Sequence, residues 1–230
     1  MIVFEFLLIS YFIGYPVYVY FTHDNLKQRM LANPAMRIKL YKETMVFLWV
    51  PALVVLFLIF QDRVSATTVG LNLHWNLANQ LMLGGLVILS GYLLFSLKQI
   101  ANNQARHQEI ADKFSYVQWL MPTTLRELKY YAGGVSVSAG VCEELLFRGY
   151  LLGLITEYSS TPIAVIVSSL AFGLPHIYQG IPHVIRTTVF GVFMALITVL
   201  TDSIIAAILL HIIMDIFSGC MAYIVAKQPK

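Results

Sequence analysis

Residues 140–149 read GVCEELLFRG, and in this otherwise apolar run two adjacent carboxylates, Glu143 and Glu144, stand beside Arg148. What these formal charges mean depends on the solvent around them. The chain has 230 residues, of which 58% are hydrophobic and 12% charged. Its mean hydropathy is +0.73. A soluble domain carries about 25% charged residues, so this composition is that of an integral membrane protein. The net charge of +3 does not read as nucleic-acid binding. The basic residues cluster between apolar runs, as they do in cytoplasmic membrane loops.

About 20 mostly apolar residues cross a bilayer as a helix. The stretches that qualify are 2–21, 44–60, 79–97, 131–155, 161–177, 184–200 and 204–225. The expected fold is therefore all-α, a polytopic transmembrane helical bundle of about seven spans. The N-terminal run lacks a basic start and a small-residue cleavage site, so it reads as a retained helix rather than a signal. Pro51 is expected to extend or kink the second span. Loop 22–43 holds Lys27, Arg29, Arg37, Lys39 and Lys42, and loop 98–130 holds Lys98, Arg106, Lys113, Arg126 and Lys129. The tail adds Lys227 and Lys230, whereas loop 61–78 holds Arg63 alone of the basic residues. With seven spans these basic segments share one side, which the positive-inside rule makes cytoplasmic, with the N-terminus outside. The short loops favour a bacterial plasma membrane. Thr124 and Glu127 have capping-box spacing, so a helix is expected to start there. Trp75 and Trp119 read as interfacial anchors, and His74 and His107 as solvated loop residues. Cys142 and Cys220 lie in apolar runs and read as small buried residues rather than a nucleophile or a disulfide.

Ionisable residues inside spans cost about 2.5–3.5 kcal/mol each on insertion scales and mark function by default. Here they gather beyond residue 140: Glu143, Glu144 and Arg148, then His176, then Arg186, then His211 and Asp215. Arg186 and His183 flank a span start and read as snorkelling side chains. An α-helix turns about 100° per residue. Glu144 and Arg148, four apart, share a face and can pair. Glu143 points about 140° from Arg148 and is left free for chemistry. His211 and Asp215 also share a face. A carboxylate, a histidine and a His/Asp pair from three helices suffice to polarise water. One strain remains: from a span start near 131, Glu143 lies about 18 Å along its helix. At that depth it does not meet His176 and His211 in straight, untilted helices, so either the span starts later or the helices tilt.

EELLFR (143–148) resembles the EExxxR motif of the CPBP family of intramembrane proteases, which includes CAAX prenyl endopeptidases and bacteriocin-processing or immunity proteins. FGLPH (172–176) matches its FxxxH motif and HIIMD (211–215) its HxxxN/D motif. The resemblance covers about residues 120–220 and implies two units. Residues 1–120 are N-terminal helices and cytoplasmic loops, and residues 121–226 a catalytic four-helix protease core. It implies that Glu143 and His176 activate water, that Arg148 supports the site with Glu144 as its partner, and that His211 and Asp215 stabilise an oxyanion or hold a metal. Many members have Asn where this chain has Asp215. An ionised Asp cannot donate to an oxyanion, so it is protonated, orients His211 or binds a cation.

The resulting expectation is an intramembrane endopeptidase acting on a membrane-anchored peptide or protein, with a prenylated CAAX end or a leader peptide as substrate classes. Its partners are that substrate and the lipid bilayer, with no nucleic acid. A zinc held by Glu143, His176 and His211 is one possibility. A metal-free site, with Asp215 fixing the tautomer of His211, is preferred, because no local two-ligand zinc motif occurs. The rival readings are a non-catalytic immunity or scaffold protein, and a proton-coupled transporter, against which the lack of an internal repeat counts. Orientation is directly testable. Ala35→Cys in a background without other cysteines is expected to resist a membrane-impermeant thiol reagent in intact cells, and labelling from outside would invert the topology.

Overall fold

The computed structural model describes residues 2–227, and among these the chain is helical with no strand. Lys230 of the basic tail lies outside the described residues. Three long helices come first: α1 (Ile2–Ala32), α2 (Arg37–Phe60) and α3 (Leu77–Asn102). Each exceeds its apolar stretch, because polar end turns continue the hydrogen-bond ladder beyond the greasy core. Pro51 does not break α2. Asn76 caps α3, its side chain accepting from the Asn79 amide. A short helix α4 (Ala105–Lys113) follows.

An unbroken helical rod then runs from Leu125 to Tyr158, but it is not one α-helix. It is built of α5 (Leu125–Tyr130), a π-helical turn (Tyr131–Val135), α6 (Ser136–Glu143), a second π-helical segment (Glu144–Leu151) and α7 (Leu152–Tyr158). Its start is the expected capping box: the Thr124 hydroxyl accepts from the Glu127 amide while the Glu127 carboxylate reaches back to the Thr124 amide. Next come α8 (Thr161–Gly173), a 3₁₀ turn (Leu174–Gln179), α9 (Ile181–Thr201) and α10 (Ile205–Ala226). Gly180, at φ 96°, makes the corner between the 3₁₀ turn and α9.

Among the described residues six helices, not seven, are long and apolar enough to cross a membrane: Val3–Ala32, Pro34–Phe60, Leu77–Asn102, Thr161–Gln179, Ile181–Thr201 and Ile205–Ala226. The stretch expected as a fourth span, 131–155, lies inside the rod. It is interrupted by π segments and carries Glu143, Glu144 and Arg148. The bundle is a polytopic integral membrane protein, and its unusual helix is the one that carries the charges. The rod packs along α2, α8 and α10. Its Leu145, Leu146, Phe147 and Leu151 form one apolar core with Leu8 and Phe12 of α1 and Leu48, Ala52 and Val55 of α2. On the opposite side Gly140 lets α10 press close, since a Cβ there would collide with Ile212 and the Ile208 carbonyl. That approach brings His211 up to the rod.

The strap between α4 and α5 is pinned across one end of the bundle. Arg37 donates to the Trp119 carbonyl at 3.1 Å and to the Thr123 hydroxyl at 3.0 Å, and pairs with Glu127 at 3.4 Å. Tyr41 donates to the Leu120 carbonyl at 2.6 Å. Two expectations fail here. Trp119 is buried within the strap rather than presented to lipid, and His107 is buried with a ring nitrogen 2.6 Å from the Ile100 carbonyl. Both were judged from loop position, whereas tertiary packing folds the loop onto the bundle. Trp75 and His74 are exposed as expected.

Burial raises the pKa of Glu127, but hydrogen bonds from Thr123 and Thr124 and the Arg37 charge outweigh it and hold the carboxyl below the usual range. A lowered folded pKa stabilises fully above the unfolded value, about 4.3, and the benefit is lost as pH falls through the folded value. Arg37→Met leaves a buried carboxylate short of a partner and is expected to lower stability by about 1–3 kcal/mol. Melts in detergent should show this loss at neutral pH and a smaller one in acid.

Candidate active site

The rod, α8, α9 and α10 bring one cluster together around Glu144. Glu144 is fully buried, and Arg148 is 1% exposed. Arg148 Nη1 donates to Glu144 Oε1 at 3.1 Å, the pairing that their four-residue spacing predicts. The same oxygen accepts from His211 Nδ1 at 2.8 Å, a bond across two helices. Arg148 Nη2 donates to the Gly191 carbonyl on α9 at 3.2 Å. A Cβ on residue 191 would stand 3.1 Å from Nη2, so glycine keeps this approach open. The guanidinium lies 4.0 Å from the centre of the Phe172 ring on α8, a desolvated cation–π contact.

Phe172 is also where the histidines meet. Its ring centre is 5.5 Å from that of His176 and 5.8 Å from that of His211, the latter edge-on at 90°. Its backbone carbonyl lies 3.1 Å from His176 Nδ1. A carbonyl only accepts, so Nδ1 carries the proton and Nε2 is left as an acceptor. Ionised Glu144 imposes the same tautomer on His211, whose Nε2 faces Glu143 Oε2 at 3.8 Å and Asp215 Oδ2 at 3.9 Å. The Glu143 side chain is 20% exposed and that of Asp215 32%. These two carboxylates mark the open side of the cluster, and Glu144 its closed floor.

All six expected site residues, Glu143, Glu144, Arg148, His176, His211 and Asp215, are thus tied to one cluster by direct contact or through Phe172. One assignment is corrected. Glu144, not Asp215, holds His211 Nδ1, and Asp215 stands on the Nε2 side. Spacing along one helix favours the local partner, and only the packing at Gly140 reveals the distant one. Sequence reading also missed Phe172 and Gly191 as contacts of Arg148. Phe172 could have been found, since it opens the FGLPH stretch already singled out. Among the described residues, no three His, Cys, Asp or Glu side chains are grouped so as to hold a metal ion, the trio Glu143, His176 and His211 included. Cys142 is buried and free, in keeping with a packing role, and Arg186 is exposed. His183 stacks on Tyr116 of the strap, their ring centres 3.5 Å apart.

Glu143 and Arg148 should separate by phenotype. Arg148→Ala strands a buried carboxylate and is expected to cost about 3–5 kcal/mol, while Glu143→Gln keeps its melting temperature. Thermal melts in detergent would reverse these assignments if Glu143→Gln were the unstable variant.

No curated protein and no solved structure matches the chain. A family profile described as type II CAAX prenyl endopeptidase Rce1-like matches residues 126–217, which run from the start of the rod to α10 and include every residue of the cluster. Over that stretch, which is less than half of the chain, the sequence is similar to the Rce1-like family.

Proposed function

We propose that the protein hydrolyses a peptide bond in a membrane-associated substrate, with water activated by Glu143 and His176. The observation that carries the proposal is the division of labour between adjacent carboxylates. Glu144 Oε1 is engaged by both Arg148 and His211, whereas Glu143 is partly exposed and has no cation within hydrogen-bond distance. A general base needs a free lone pair within reach of water. His176 Nε2, freed by the bond from Nδ1–H to Phe172, accepts one hydrogen of that water and orients it. Glu143 takes the other as the oxygen attacks the carbonyl carbon. When the C–N bond breaks, the proton on Glu143 passes to the leaving amine. When His211 takes up a second proton, its Nε2–H faces Glu143 and Asp215 and steadies the carboxylates through this exchange. No step is routed through a metal.

The family description names prenylated CAAX ends, and a chain end tethered by lipid suits a site lying among helices. We take such a peptide as the first substrate to test. The basic loops 22–43 and 98–130 favour a cytoplasmic strap, with the rod completing the crossings. The experiment is cleavage of a farnesylated CAAX peptide by the purified protein in vesicles, read as release of the C-terminal fragment. Wild type is expected to cleave. Glu143→Gln should lose at least about 10²-fold in kcat, in the range that general acid–base catalysis contributes. Activity should survive a strong chelator. Stoichiometric zinc whose removal stops cleavage and whose return restores it would overturn the metal-free mechanism. Cleavage by Glu143→Gln at the wild-type rate would overturn the assignment of the base.

A further inference from the structure

A peptide substrate has to bring a carbonyl group to the open side of the cluster, and a chain needs a wider path than a water molecule does. The Glu143 side chain is only 20% exposed and that of Asp215 32%. What stands over them is set at one end of the bundle. His176 sits on the 3₁₀ turn that ends α8, and Gly180 turns the chain from there into α9. Asp215 stands on α10, and α4 packs on the same helix. The strap, residues 114–124, leaves α4 and crosses from α10 to the Gly180 corner.

The strap straddles that corner. On one side Tyr116 stacks on His183, in the first turn of α9, with ring centres 3.5 Å apart and planes 26° apart. On the other side Trp119 stands edge-on to Tyr178 at 6.5 Å, and the Tyr178 ring stacks in turn on His176 at 6.2 Å. The two halves of the strap are held differently. Residues 119–124 are tied to α2 by hydrogen bonds, from Arg37 to the Trp119 carbonyl and the Thr123 hydroxyl and from Tyr41 to the Leu120 carbonyl. In residues 114–118 the backbone bonds stay local, with the Phe114, Ser115 and Val117 amides reaching back three or four residues. Val117 is the one buried residue of this half, and its side-chain tie to α9 is the stack of Tyr116 on His183, both half-buried. A segment with few buried contacts opens at lower cost than the structure around it.

We propose that residues 114–118 are a lid across the mouth of the site, latched by Tyr116 on His183 and hinged at Trp119, which swings off α9 to admit the substrate chain. The proposal rests on the reading of a peptide substrate above. With the latch made, the segment lies between the helix of Asp215 and the turn of His176 and bars a peptide from this end. With the latch parted, α2 still holds residues 119–124, so Trp119 keeps its place against Tyr178 and the His176 ring keeps its backing. The path opens while the bonds around Glu144, made by Arg148 and His211, stay as they are. Closure over a bound chain then shields the reaction, and reopening releases product, as lids do in other enzymes.

The test locks the latch. Tyr116→Cys and His183→Cys are introduced together, with Cys142 and Cys220 replaced by Ala, and are joined by a short bis-methanethiosulfonate bridge that a reductant removes. Binding of a fluorescent farnesylated CAAX peptide is followed in vesicles in the Glu143→Gln background, so that the reading does not depend on cleavage. The bridged protein is expected to take up the peptide at least about tenfold more slowly than the reduced protein, since association falls when binding needs a conformational change that is blocked. With Glu143 restored, kcat/KM should fall on bridging and recover on reduction. Tyr116→Ala, which removes the stack without a bridge, should speed association. Equal rates for bridged and reduced protein would overturn the lid, and a Tyr116→Ala rate no faster than that of the parent would overturn the latch. If bridging blocks binding but wild type does not cleave, the lid stands and the hydrolytic reading falls. If neither form binds the peptide, the substrate reading and the lid fall together.

Discussion

A carboxylate with no exposed surface is the constraint on which the site depends. Glu144 needs partners in a low-dielectric interior, because burying a charge unpaired is costly. Its Oε1 is met by Arg148 from the same rod and by His211 from α10. Arg148 in turn reaches the Gly191 carbonyl of α9 and the Phe172 face of α8. One charge therefore ties four elements into a single register. Such a network adds little net stability over well-packed apolar residues, yet breaking one partner is costly. Rotating α10 by one residue would carry His211 off Glu144 and take the partly exposed Asp215 out of register with Glu143.

The glycines are the other half of this constraint. The His211–Glu144 bond needs α10 close to α6, and Gly140 permits that where any side chain would strike Ile212. The Arg148–Gly191 bond needs α9 close to the rod, and Gly191 permits it in the same way. Small residues at helix contacts are how membrane helices approach without a hydrophobic force between them. Here the approach also delivers polar partners to a charge that would otherwise be stranded.

Much of this was legible in the sequence, for local reasons. The Glu144–Arg148 pair follows from i,i+4 spacing, and the Thr124–Glu127 cap from its three-residue spacing. The gathering of charges beyond residue 140 follows from the cost of placing them in lipid. What escaped was tertiary. Whether Glu144 or Asp215 holds His211 depends on how two helices face each other, which no spacing within either encodes. His107 and Trp119 sit in a polar stretch that reads as a loop, and only the clamp from Arg37 and Tyr41 on α2 draws that stretch down. The reading also treated residues 131–155 as an ordinary span, since hydropathy registers composition and not winding.

That winding bears on the depth of Glu143 relative to the histidines. A rise of about 1.5 Å per residue and a turn of about 100° hold for an α-helix. In a π-helix the amide bonds five residues back, so more residues fit each turn and each advances the axis less. Tyr131–Val135 lies between the expected span start and Glu143, so an α-helical ruler places Glu143 too deep. From Glu144 to Leu151 the rod winds as π again, just past the boundary between the free carboxylate and the anchored one. All eight residues of that segment are buried. Irregular backbone at membrane depth is tolerated only where protein surrounds it, and so is a charge. The same enclosure by α2, α8, α9 and α10 thus permits both departures, which is why the unusual winding and the ionised residues occupy one stretch of sequence.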